Sequence, residues 1–169
     1  MRKNKEMKHH IETCDCEICK NGLEAVREKE QKMIERYGHS IRYIFDSYQT
    51  EYGVFPSIFT RGLTETANHS NLEVVLPVDQ ATANFLLNTL AEKIHQGWEF
   101  KLNQVYQIPE LNNVPFYFEL SVQPEIKEHL YRVIIADPQL KLPGEDGCDF
   151  MYQMQSVVGN IGNEKMAIH

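Results

Sequence analysis

The sequence predicts an α+β domain, a mixed and largely antiparallel sheet of about five or six strands with helices mainly on one face. Three observations lead there. Segments with a period-two or continuously aliphatic pattern outnumber helical ones, a single strongly amphipathic helix stands among them, and strands and helices do not alternate as they do in a doubly wound parallel sheet. No internal repeat, low-complexity tract or Pro/Gly/Ser-rich linker divides the 169 residues, so the chain reads as one domain.

Residues 21–37 place Leu23, Val26, Met33, Ile34 and Tyr37 among many charges, the thin apolar stripe of a surface helix, and Gly38 supplies its stop. Ser40 to Ser47 alternates Ile41, Tyr43 and Phe45 with polar residues and opens the sheet. A polar turn ending in Gly53 leads into a second strand over Val54 to Thr60, where Pro56 calls for an edge position or a bulge. After a polar loop, Leu72 to Leu76 is aliphatic enough for a strand covered on both faces.

Asp79 is placed to cap a helix running to Gln96, with Ala83, Leu86, Leu87, Leu90 and Ile94 on one face and Gly97 just past its end. Phe100–Val105, Val114–Val122 and Leu130–Ala136 complete the strands, and Asp137-Pro138 opens a Pro/Gly-rich loop. The predicted organisation is an arm with a charged helix over 1–39, a core over 40–158 and a frayed tail over 159–169.

A composition of 42% hydrophobic and 24% charged residues, with eight Phe and eight Tyr, is that of a folding chain and not a disordered one. The net charge of −7 argues against a protein that coats nucleic acid, and the basic run Arg2, Lys3, Lys5 and Lys8 reads as a solvated arm. No apolar stretch approaches the roughly 20 residues that span a bilayer, and the first residues are charged where a signal peptide is apolar, so a cytoplasmic location is expected. Reduced thiols or metal binding are therefore favoured over disulfides for the four cysteines.

Several landmarks run through these elements. Phe59-Thr60-Arg61-Gly62-Leu63-Thr64-Glu65 is followed by His69-Ser70-Asn71-Leu72, then by Leu87-Asn88-Thr89-Leu90-Ala91 with Gly97. Asp137 with Leu142-Pro143-Gly144-Glu145, and Gln155, come last. Together they resemble the bacterial family of domain of unknown function 4262, over roughly Ser40 to Gln155. Ala136, Gly144, Ser70 and Arg61 depart from its pattern, which makes this chain a divergent member. The resemblance implies the fold and brings no activity with it; the run Cys14-Asp15-Cys16-Glu17-Ile18-Cys19 is similar to Cys-rich N-termini in relatives. A weaker similarity, around Gly62-Leu63-Thr64 and the following helix, is to suppressor-of-fused-like domains, which act in protein binding.

Chemistry has few candidate carriers. Cys14, Cys16 and Cys19 with His10 match the ligand count of a structural Cys3His zinc site, although the Cys-x-Cys half is tighter than finger geometry and plain thiols are the alternative. His69 at a strand entrance, Asp137 at a strand end and Arg61 are the candidate acid–base set. Thr60, Gly62, Thr64 and His69 are the candidate ligand contacts. Each also reads as ordinary turn chemistry, as do Glu145, Asp146 and Asp149 near Asp137. Gly-x-Ser-x-Gly, His-Glu-x-x-His, Walker and dinucleotide signatures are all missing.

The expected function is a non-catalytic binding or interaction module, with a protein or small-ligand partner and room for a homo-oligomer; the cofactor is left open, with zinc in the N-terminal arm as the candidate. A small hydrolase-like or nucleotide-processing enzyme built on His69, Asp137 and Arg61 is the alternative. Zinc analysis of protein purified without chelator checks the arm: about one equivalent is expected for the Cys3His site, and less than roughly a tenth of an equivalent removes it.

Overall fold

The computed structural model describes residues 17–75 and 78–158. Cys14, Cys16, His10 and the predicted tail lie outside the described residues. Helix α1 (Glu17–Tyr37) is two helical pieces joined at Gly22, whose φ of 79° and ψ of 160° leave helical geometry. It ends where Gly38 takes a φ of 81° and its N–H bonds the Ile34 carbonyl at 2.7 Å, the left-handed stop expected of that glycine.

Strands β1 (Ser40–Thr50) and β2 (Gly53–Arg61) form the expected hairpin, closed by Thr50 opposite Gly53. Their register slips between Ile44, opposite Ser57, and Tyr48, opposite Phe55, so residues 45–47 stand against Pro56 alone. Pro56 lacks a ladder N–H, and β2 lies inside the sheet; the bulge is what admits it there. The bulge also turns Phe45 out, 74% exposed.

After β2 come the short helix α2 (Leu63–Ala67) and strand β3 (Leu72–Val74), then α3 (Gln80–His95), β4 (Phe116–Gln123), β5 (Glu128–Ile135) and α4 (Phe150–Val157). The sheet order is β1-β2-β3-β5-β4, antiparallel except for the β3–β5 pair, so it is mixed and largely antiparallel as predicted. Residues 100–105 depart from expectation. Asn103 adopts a φ of 58°, which breaks a strand; its N–H instead bonds Phe118 O at 2.8 Å, and Tyr106 bridges Phe116. The segment thus covers part of the exposed edge of β4 without joining the sheet.

Helix α3 starts where Asp79 accepts a 2.8 Å bond from Thr82 N, as its sequence required. Its buried Ala83, Leu86, Leu87, Leu90, Ala91 and Ile94 lie on one sheet face, against Ile58, Leu72, Val74, Phe116, Phe118 and Val133. Neighbouring residues Phe59, Glu73 and Arg132 belong to the opposite face by strand alternation. That face is covered by α4, where Met154 and Val158 pack on Tyr48, Phe55 and Val75. Helices therefore lie on both faces. Among the described residues no helix is long and apolar enough to cross a membrane.

Beneath α4 the sheet carries a buried ion pair. Glu73, at 0% exposure, and Arg132, at 1%, face each other across β3–β5 with Nε to Oε2 at 2.9 Å. Glu73 Oε1 accepts from Tyr48 Oη and Ser57 Oγ, both at 2.6 Å, and Oε2 also accepts from Ser121 Oγ at 2.8 Å. Arg132 donates to Tyr48 Oη at 3.0 Å and, through its other terminal nitrogen, to the carbonyls of Gln155 and Val158. Burial and then the Glu73 charge push the Tyr48 phenol well up, which keeps the proton it donates.

Removing one partner strands the other charge: Arg132→Met alone is expected to cost about 3–5 kcal/mol of unfolding free energy. Pairing it with Glu73→Leu should recover part of that loss, as measured by urea denaturation of both variants.

Candidate functional site

The residues singled out from the sequence mostly turn inward on the backbone. Thr60 Oγ1 accepts from Leu72 N at 2.8 Å and donates to Asn71 Oδ1, which also receives Leu63 N at 3.1 Å. This pair stitches the end of β2 to the start of β3. Gly62, at a φ of 99°, begins α2, and a Cβ there would lie 2.8 Å from Ile34 Cγ2, so glycine lets α1 cross this corner. Thr64 is exposed on α2, and Arg61 reaches Glu128 at 2.7 Å.

His69 Nδ1 donates to Ser70 O at 2.8 Å, and the ring packs edge-on to Tyr131 and Phe100. Its Nε2 is buried with no hydrogen-bond partner among the described residues. Asp137 accepts from the N–H groups of Gln139, Lys141 and Asp149, each at 2.9 Å, and so pins the loop from β5 to α4. Burial alone would raise that carboxyl, but the N–H donors and then Lys141 hold it below the usual range. Asp137 follows Tyr131, the neighbour of His69, by six residues, roughly 20 Å along an extended strand. Among the described residues no hydrogen bond joins His69 to Asp137.

Cys19 lies on the first turn of α1, and Cys148 is buried under the loop from β5, its thiol pushed up by burial and then by Asp137 and its acidic neighbours. Among the described residues no three His, Cys, Asp or Glu side chains are grouped to hold a metal ion. Asp149 caps α4 by accepting Met151 N at 2.8 Å.

The geometry points to a different place. Met33 and Tyr37 from α1, His39, Ser40, Ile41 and Tyr43 around the start of β1, and Asn84 and Asn88 from α3 enclose a groove of about 500 Å³. Gly38 makes it possible, because a Cβ there would sit 2.4 Å from His95 Cε1; its absence lets the chain turn from α1 against α3. His39 then stacks on His95 with ring centroids 5.8 Å apart.

The polar groups of the groove are oriented. His39 Nε2 donates to Asn88 Oδ1 at 2.8 Å, which leaves Nδ1 as a buried bare acceptor, and Tyr43 Oη donates to Asn84 Oδ1. Burial raises the Tyr43 phenol, so it remains a donor. With both carboxamide oxygens occupied, the two NH2 groups, one helical turn apart, are left to bond a ligand; neither donates within the described residues. The signal for this site was in the sequence: two asparagines at i and i+4 in the strongest helix, a residue type that disfavours helix interiors.

The fold and groove define an α+β domain with a neutral, hydrogen-bonding cleft walled by aromatic and aliphatic side chains. The family model described as Domain of unknown function (DUF4262) matches residues 33–149, and the chain belongs to that family. No curated protein and no solved structure matches the chain. Every residue lining the groove lies inside the matched span, whereas α4 follows it.

Burial and then the charge of His39 lower the pKa of His95. The folded state therefore binds a proton there less readily than the unfolded chain, and stability present above about pH 6.5 is lost on acidification toward the lowered folded value. The melting temperature is expected to fall between neutral pH and pH 5.5, and His95→Gln should flatten that part of the profile.

Proposed function

We propose that this chain is a non-catalytic binding module and that the groove between α1, β1 and α3 is its recognition surface. One observation carries the reading: the Asn84 and Asn88 amides are pinned through their oxygens and present unspent N–H donors to a cleft of ligand size. Such donors seek carbonyl-type acceptors. The Met33, Tyr37, Ile41 and Tyr43 walls suit an apolar or aromatic group beside those acceptors, which together describe a segment of polypeptide.

Further support is that Thr60, Arg61 and Asp137 are committed to backbone and ion-pair contacts that build corners of the fold. The enzyme alternative needs His69 with Asp137, and the Asp137 carboxylate already holds three N–H donors. A zinc site of Cys14, Cys16, Cys19 and His10 would serve this module by ordering the arm ahead of α1, since ligation supplies folding free energy directly.

The test uses N-acetyl-phenylalanine methylamide, a blocked aromatic amide, titrated into isotope-labelled protein. The side-chain NH2 resonances of Asn84 and Asn88 should shift together. Asn84→Asp/Asn88→Asp, which replaces donors by acceptors of the same shape, should weaken binding at least about tenfold, two lost hydrogen bonds at about 1 kcal/mol each. Shifts confined to other parts of the chain would sink the proposal.

A further inference from the structure

A second depression of about 320 Å³, lined by α1, shares Met33 and Tyr37 with the groove. There Ala25, Met33 and Tyr37 recur at helical spacing, and Met33 and Tyr37 remain 42% and 50% exposed although both are large and apolar. The same depression is lined by Lys32 and Arg36, with Glu28 as the one carboxylate of its lining. Glu30 is turned away from this side, binding Arg42 and Ser40 on β1, while Glu35 accepts from Gln31 on α1 itself. Arg36 lies over the Tyr37 ring at 5.1 Å, so the cationic and aromatic surfaces are contiguous. A chain of net charge −7 thus carries a locally basic ridge beside its neutral groove.

Resting on the groove reading above, we infer that the partner is an acidic polypeptide segment. Its main-chain carbonyls take the Asn84 and Asn88 amides, an apolar or aromatic side chain enters between Tyr37 and Tyr43, and its carboxylates lie along Lys32 and Arg36. Charge complementarity selects this occupant. A second copy of the chain fits poorly, because an isologous pairing about this ridge sets cations against cations between two molecules of net charge −7.

The experiment selects a random-peptide phage library on the full chain, on Lys32→Glu/Arg36→Glu and on Asn84→Asp/Asn88→Asp. All four positions have side chains at or near the surface, and circular dichroism confirms folding; Lys32→Gln/Arg36→Gln replaces the first variant if charge reversal perturbs α1. Peptides enriched on the native chain should carry Asp or Glu within a few residues of an aromatic or aliphatic anchor. The leading synthetic peptide should bind at least about tenfold more weakly to the Lys32/Arg36 variant, and more weakly as salt rises from roughly 0.1 to 0.5 M.

Enriched peptides without acidic bias, or an affinity indifferent to Lys32 and Arg36 yet lost in Asn84→Asp/Asn88→Asp, overturn the acidic partner and leave the groove reading standing. Peptides that bind Asn84→Asp/Asn88→Asp as well as native protein, or no enrichment at all, overturn the groove reading itself. A dimer seen by sedimentation that the Lys32/Arg36 variant abolishes assigns the ridge to a second copy and also overturns the inference.

Discussion

Glu73 and Arg132 are opposite charges sealed between a β-sheet and a helix, and much of the molecule is arranged so that neither is left without partners. The carboxylate accepts four hydrogen bonds and the guanidinium reaches two backbone carbonyls at the end of α4 as well as Tyr48. Desolvation of such a pair is costly, and it is tolerated only where geometry satisfies nearly every donor and acceptor. That demand ties together β1, β2, β3, β4, β5 and α4, since Tyr48, Ser57, Glu73, Ser121, Arg132 and Gln155 each come from a different element. The network also spans the single parallel pairing, to which the three-residue β3 contributes the carboxylate that Arg132 binds.

With one face fixed by this network, the other face is largely apolar, and α3 lies on it by hydrophobic packing. The groove follows from where α3 then sits. Its buried stripe faces the sheet, which leaves Asn84 and Asn88 at the margin, where the chain leaving α1 must pass. Gly38 and Gly62 allow close passage at the two points where a side chain would collide, against His95 and Ile34. The Glu30–Arg42 pair and Ile34 then hold α1 along the start of β1. The groove is thus a by-product of how three elements meet.

The landmarks that identify the family read differently once folded. Phe59 to Glu65 is a strand, a left-handed glycine and a short helix, and Asp137 with the residues after it is a loop held by one carboxylate. These are corners, and corners demand particular residues for backbone reasons. Thr60, Gly62, His69 and Asp137 stand out in the sequence for that reason, and their polar groups serve local hydrogen bonds. The two asparagines at i and i+4 are visible on the helix, but their meeting with His39 and Tyr43, 49 and 41 positions away, is written in no local pattern.

Period and punctuation were enough to place β1, β2, α3, β4 and β5, since alternation, the Asp79 cap and the Gly38 stop are local physics written in local residues. The same logic failed at residues 100–105, where Asn103 chose a left-handed conformation, and at α4, whose eight residues are held by Arg132 and a patch of β1 and β2 that no local pattern reveals. The sequence by itself determined the sheet-forming segments, the central helix and the family to which the chain belongs. Only tertiary structure decided that Glu73 meets Arg132, that helices cover both faces and that His39, Tyr43, Asn84 and Asn88 converge. Those are contacts between residues tens of positions apart, and the free energy that selects them comes from burial and mutual satisfaction of polar groups, which exist only once the chain has closed on itself.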